Sequence, residues 1–222
     1  MIPYHDHSNE QVRVRLVDRM ATEAVALLSD AGTPLVSDPG YKLVRDARAA
    51  GRAVTTIPGP CAAIAAITLS GLPSDRFLFM GFLPAKTKAR TDTLTEVAGL
   101  RATLVFYESG PRCAASLADM AAVLGDRPAA LCREISKAYE ETLTGTLTEL
   151  AAACTQKEPR GEIVLVVGPP GERAAAEADE IDAALREALE RLTVSQAAGE
   201  VARALGADRK ALYARAMELK GK

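Results

Sequence analysis

The chain has 222 residues, 48% apolar and 25% charged, with a formal charge of −2. Those totals suit a folded chain with a sizeable core and exclude long disorder. They also exclude a protein that grips nucleic acid with its whole surface, because phosphate affinity comes from clustered Lys and Arg.

In chain order, a helix is predicted from Asn9 to Met20, and EAVALLSD reads as a buried parallel strand ending in Asp30. AGTPLVSDPG is a loop, YKLVRDARAAG a helix closed by Gly51, and AVTTIP a second strand. CAAIAAITLSG, with Pro60 just before it, is an apolar helix ending at Gly71. Strand, loop, helix, strand, helix is the order of an α/β layer with a parallel sheet. LPSD, residues 72–75, reads as a hinge.

Beyond it RFLFMGFLP is a strand, and residues 86–100 form a polar helix or a mobile loop. RATLVFYES is a strand, PRCAASLADMAAVLG a helix, PAALCREIS and EETLTGTL strands, TELAAACTQ a helix and GEIVLVVGPP a final buried strand. Adjacent strands in this half predict a mixed sheet. The expected architecture is therefore two α/β domains, residues 1–73 and 74–170. An acidic, alanine-rich linker over 171–180 and a helical extension over 181–222 follow them. In the extension, Thr193 or Ser195 caps the second of three helical patterns, Gly206 ends it and Asp208 caps the third. This is a helix-turn-helix outline, open equally to packing on the body or a second subunit and to nucleic-acid contact.

Cys61, Cys113, Cys132 and Cys154 are irregularly spaced without a CxxC pair, which predicts reduced, mostly buried thiols in a cytoplasmic protein and no metal site. No apolar run is long enough to span a bilayer, and the start MIPYHDHSNE does not read as a signal peptide.

The most informative stretch is SDAGTPLVSDPG, residues 29–40, just past the carboxyl end of a predicted strand, where open α/β sheets place ligands. Gly32 and Gly40 permit unusual backbone conformations, and Pro34 and Pro39 stiffen the chain between them. A phosphate loop would carry a cation and free amides; this loop carries Asp30 and Asp38 and no cation. Two carboxylates disfavour a pyrophosphate and suit a ligand with hydroxyls, an ammonium or a sulfonium, although Asp also caps turns. IPGPCAA, residues 57–63, is a second strand-to-helix turn whose small residues leave the helix N-terminus approachable. The two turns are expected to form two walls of one pocket.

DAGTPLVSDPGY, IPGPCAA, LPSDRFLFMGFLP, FYESGPR and GEIVLVVG occur in the order and spacing of the bacterial 16S rRNA (cytidine-2′-O)-methyltransferases, which the chain resembles over essentially its whole length. These belong to the tetrapyrrole methylase superfamily. The resemblance implies a two-domain tetrapyrrole-methylase-like fold, S-adenosylmethionine in the cleft between the domains, a homodimer and a small helical C-terminal extension. Its implied target is the 2′-hydroxyl of a cytidine in the decoding region of 16S rRNA, presented as free RNA or as the small ribosomal subunit. By position, it implies that Asp30, Ala31, Gly32 and Thr33 line the methionine side of the cofactor and that Pro58, Gly59, Pro60 and Ala62 form the second wall. Phe82, Leu83, Pro84, Glu162, Ile163 and Val164 fall where the family contacts the adenosine region. The family pattern opens with a strand and a turn of the form TPIGNL, which has no counterpart here. About one βαβ unit, on the order of 30 residues, is expected to be lacking. If the chain begins at Met1 as written, the N-terminal domain is incomplete, with unpaired strand edges and weak or no cofactor binding by these 222 residues alone; a start read too late is the favoured explanation.

Methyl transfer to a hydroxyl needs in-line alignment and a base for the proton. Asp30, Glu108 and Glu134 lie at or near predicted strand ends, and Lys137 would serve if desolvation lowered its pKa. An exposed, solvated turn is the alternative for Lys137, Glu140 and Glu141. His5 and His7 read as surface groups or as substrate-side groups. Lys86, Lys88, Arg90 and Arg112 are candidates for RNA phosphates, against a plain solvated helix face. Residues 181–222 carry eight Lys or Arg against six Asp or Glu, which makes the extension only slightly basic. Three rival functions remain at this stage: a corrin-precursor methyltransferase, a non-catalytic nucleic-acid-binding regulator and an inactive fragment.

Overall fold

The computed structural model describes residues 2–5, 10–171, 178–205 and 207–220, so His7, Gly206 and residues 172–177 of the expected linker lie outside the described residues. The chain divides into two compact units, residues 1–169 and 170–222.

The first unit runs α1 (Glu10–Arg19), α2 (Tyr41–Ala49), α3 (Ala62–Ser70), β1 (Phe77–Phe82), α4 (Thr87–Val97), β2 (Thr103–Ser109), α5 (Gly110–Leu124), β3 (Pro128–Arg133), β4 (Glu141–Thr146), α6 (Leu147–Gln156) and β5 (Glu162–Val167). The strands form one sheet in the order β1-β2-β5-β3-β4, with β1 and β2 parallel and the other pairs antiparallel, so the sheet is mixed as expected. IVLVV, residues 163–167, is continuously apolar because β5 is central and both its faces are covered. Ile163, Leu165 and Val167 enter one core with residues of α5 and α6, such as Leu117, Met120, Leu147 and Leu150. Val164 and Val166 enter the other with Ala63, Ala66 and Ile67 of α3.

The N-terminal part departs from the expected α/β layer. Its helices form: Leu16 and Val17 of α1 pack on Leu43 and Ala47 of α2. Its strands do not, because residues 24–29 and 53–58 carry no ladder. A strand is completed by a neighbour's amides and carbonyls, and none of the described strands pairs with these segments. The alternation survives, with Val25, Leu27 and Ser29 half-buried and Ala26 and Leu28 exposed. Leu28 is 78% and Ile57 90% exposed, values of a sheet face without its layer.

The second unit is a three-helix bundle of α7 (Ala178–Leu189), α8 (Val194–Leu205) and α9 (Arg209–Lys220) around Leu185, Ala197, Ala198, Val201, Leu212 and Ala216. Helix α7 thus takes in the last three residues of the expected linker. Asp208 caps α9 by accepting from the amides of Lys210 and Ala211, and Thr193, just before α8, donates through its amide and its hydroxyl to Gln196 Oε1. Arg215 grips Asp182 through two bonds of 2.7 Å, tying α9 to α7. Among the described residues no helix is long and apolar enough to cross a membrane.

Candidate cofactor site

Residues 29–40 are folded largely by their own bonds. Ser29 Oγ donates to the Ala31 carbonyl at 3.1 Å, and the Val36 amide to the Thr33 carbonyl at 3.3 Å. Leu35 (φ 74°) and Ser37 (φ 59°) are left-handed without being glycine, a conformation held only by well-determined surroundings. Gly40 (φ 138°) leaves room that a Cβ would take, 2.6 Å from Leu27 Cδ2 and 2.8 Å from Leu35 Cδ1. Thr33 Oγ1 donates to the Pro60 carbonyl at 2.9 Å, locking this loop to the second turn. Asp30, Ala31, Gly32, Pro58, Gly59, Pro60 and Ala62 are all exposed, and the two turns that carry them are in contact through that bond.

Strand β1 comes close to the same loop. Gly81 (φ 64°) sits at a register shift in β1, and a Cβ there would lie 3.4 Å from Ser37 Oγ. Next to it stands Tyr107, which the sequence reading did not single out. Its ring meets Phe79 at 4.8 Å and Phe82 at 5.6 Å, both edge-on, a favoured aromatic geometry. Burial raises the Tyr107 phenol above its ordinary pKa, helped by the Cys61 thiol and the Asp38 charge and opposed by a hydrogen bond with the Ala63 backbone. The phenol therefore stays neutral, with its polar tip against the start of α3. The alternation of TLVFYES was the available signal, since it puts Tyr107 on the same face as Val105, at the strand's carboxyl end.

The turn after β1 is held from behind. Arg112 donates to the Leu83 carbonyl at 2.6 Å, and its Nε lies 3.3 Å from Glu108 Oε1, within ion-pair range but without hydrogen-bond alignment. Glu108 is buried and fully engaged: Oε1 accepts from the Ser109 amide at 2.8 Å and Oε2 from Ser116 Oγ at 2.6 Å. Arg90, 5% exposed, pairs with Asp119 and donates to the Ala85 carbonyl at 3.1 Å. Two of the four candidate RNA contacts, Arg90 and Arg112, are thus spent on the chain's own carbonyls and carboxylates, and Glu108, 3% exposed, is anchored inside the fold and not presented to a substrate. Polar residue type alone could not reveal this, because burial decides it. Lys88 pairs with Asp92 at 2.8 Å on the surface, and Lys86 is exposed.

Lys137 is also corrected. It lies between Glu134 (3.1 Å) and Glu162 (2.8 Å), and these carboxylates raise its pKa instead of lowering it. The ammonium is therefore the resting form and a poor base. In Lys137→Met, the basic limb of the pH–rate profile should keep its wild-type inflection; loss of that inflection would restore Lys137 as the base. Glu134 is tied to the Glu162 amide and to Lys137, which lower its pKa. Ile163 and Val164 have side chains in opposite cores of a strand paired on both sides, so of that trio only Glu162 is open to a ligand. His5 is exposed. Asp30 is left as the exposed carboxylate on the loop wall.

The strained acidic loop is thus locked to a helix-opening turn beside the mixed sheet. Residues 3–151 match the family described as Tetrapyrrole (Corrin/Porphyrin) Methylases, and the chain belongs to that family. Residues 174–220 match the family described as RsmI C-terminal HTH domain. The chain is 56% identical over 217 residues to Ribosomal RNA small subunit methyltransferase I of Erythrobacter litoralis, covering 98% of this chain and 77% of that protein. It is 47% identical over 220 residues to the protein of the same name from Mesorhizobium japonicum, covering 98% and 74%. Among solved structures, uroporphyrin-III C-methyl transferase from Thermus thermophilus complexed with S-adenyl homocysteine shares the fold, with TM-score 0.50 and 20% identity over 74% of this chain and 75% of that one.

Proposed function

We propose that this chain is an S-adenosylmethionine-dependent methyltransferase that modifies the 2′-hydroxyl of a cytidine in the decoding region of 16S rRNA, in the cytoplasm and as a homodimer. The observation that carries this reading is the 56% identity to a small-subunit rRNA methyltransferase along 98% of the chain, including the helical second unit. A corrin precursor is disfavoured because the tetrapyrrole likeness is confined to the superfamily fold. The division into cofactor-binding halves falls, in this reading, at the 72–75 segment.

The donor set fits the cofactor's chemistry: residues 29–40 offer Asp30 and Asp38 and no cation, which suits an ammonium and a sulfonium. Residues 30–33 and 58–62 would hold it, and when bound it supplies an electrophilic methyl on a positively charged sulfur. Asp30 provides negative charge beside that position and can accept the proton that the ribose hydroxyl releases. The Thr33–Pro60 lock keeps the two walls at fixed separation, so alignment costs no reorganisation at the moment of reaction. Neutral Tyr107 closes the side toward α3 without adding charge.

The direct test is incubation of small subunits lacking the modification with labelled S-adenosylmethionine, followed by mass spectrometry of the digested 16S rRNA. A methyl on a ribose 2′-oxygen of a decoding-region cytidine is expected; transfer only to a corrin precursor overturns the reading. Asp30→Ala should weaken S-adenosylmethionine binding about tenfold or more by titration calorimetry, the size of one lost charged contact. The exposure of Asp30 predicts an unchanged melting temperature. Retained affinity would remove Asp30 from the site.

A further inference from the structure

The second unit carries a groove of about 630 Å³ between α8 and α9, lined by Ser195, Gln196, Gly199, Arg203 and Arg209 among others. Gly199 lies on its floor, and the Arg209 guanidinium passes over it, its Nε 3.6 Å from where a Cβ would stand, so that it lies across α8. Arg209 donates to Ser195 Oγ at 3.3 Å and Arg203 to the Gly199 carbonyl at 3.2 Å. Neither arginine has a carboxylate within ion-pair distance among the described residues. The other cations of this bundle behave differently, since Arg186 and Arg215 meet Asp182 and Arg191 meets Glu200. Glu200, the acidic group on the groove wall, is therefore already neutralised, which leaves two uncompensated guanidinium groups in a groove of mixed polar and apolar lining. Beside it Lys210 is exposed, and along the same helix Tyr213 and Met217 are 45% and 52% exposed.

We propose that this groove is a phosphate-binding seat for the RNA backbone, with Arg203 and Arg209 straddling a phosphodiester and Lys210 continuing the track along α9. Charge complementarity selects the occupant. Guanidinium groups fork onto phosphate oxygens, and Ser195 adds a hydroxyl donor. An apolar protein partner would strand two unpaired charges. The proposal rests on the rRNA reading above and adds a second RNA contact surface, on the helix-turn-helix unit.

The test uses the full chain and a 16S rRNA decoding-region fragment, titrated across a range of salt concentrations. Counterion release gives each phosphate contact roughly 0.7 in the slope of log K against log salt, so Arg203→Gln/Arg209→Gln should flatten that slope by about 1.4 and weaken binding about tenfold near 0.15 M salt. The Arg203→Lys/Arg209→Lys variant should recover the slope, because it restores the charge. S-adenosylmethionine affinity should be unchanged in both, which separates a lost RNA contact from a misfolded chain. If the wild type methylates rRNA and the Gln variant keeps the wild-type slope, the groove proposal fails alone. If the Gln variant instead changes only the sedimentation of the protein, the face is a contact between copies and the proposal is equally overturned. Absence of any rRNA binding or methylation by the wild type defeats both readings.

Discussion

Gly110→Ala is expected to lower the stability of the first unit by about 3 kcal/mol or more, the upper range for forcing atoms into a packed site. The cause is space and not backbone conformation. A Cβ at Gly110 would fall 1.9 Å from the Pro159 carbonyl oxygen and 3.1 Å from its carbon. The obstacle is main chain on the approach to β5, so no side-chain rotation relieves it. Helix propensity pulls the other way, by about 1 kcal/mol in favour of alanine, and the overlap outweighs it. Melting temperature should fall by roughly 10 °C, taking 2–4 °C per kcal/mol for a chain of this size. A urea midpoint within experimental error of the wild type would mean that α5 and the 159–161 segment are not this close.

Glu108→Ala should cost a comparable amount, about 3 kcal/mol, because removing one member of a buried charged network leaves the others without partners. Ser116 Oγ and the Ser109 amide lose their acceptor, and Arg112 loses its counter-charge. Arg112 is about one-third exposed, so solvent screens part of its loss and the figure belongs at the lower end of the range for buried pairs. The double variant Glu108→Ala/Arg112→Met should cost less than the two single changes added together, with a coupling of about 1 kcal/mol by urea denaturation. Simple additivity would show that Glu108 and Arg112 act separately.

Much of the fold was legible from the sequence. Every strand from Phe77 onward, and the helices ended by Gly71 and Gly125, follow from period, apolar runs and glycine stops, since β5 and its neighbours supply the pairing those patterns need. EAVALLSD and AVTTIP carry the same kind of pattern without forming strands. An alternation states which face wants to be covered, but the ladder needs a second chain segment. In the site, the loop over 29–40 was readable because Gly, Pro and Asp report backbone constraint and charge directly. The roles of Glu108, Arg90, Arg112 and Lys137 were not, because a charged residue's letter does not say whether it faces solvent, a carbonyl or a carboxylate. Tyr107 was overlooked because one phenol at the end of an apolar strand looks like core.

The turn over residues 83–87 is gripped by both arginines once expected to meet RNA. Arg112 projects from the first turn of α5 onto the Leu83 carbonyl, and Arg90 reaches from the Ala85 carbonyl to Asp119 in the middle of the same helix. The turn and α5 are therefore cross-braced at two points about two helical turns apart, and cannot fluctuate independently. In native-state hydrogen exchange, the amides of residues 85–87 should share the opening free energy of the α5 interior, far above that of a surface turn. This turn thus belongs to the slow-opening part of the molecule, and in the proposed reading whatever admits substrate must move elsewhere.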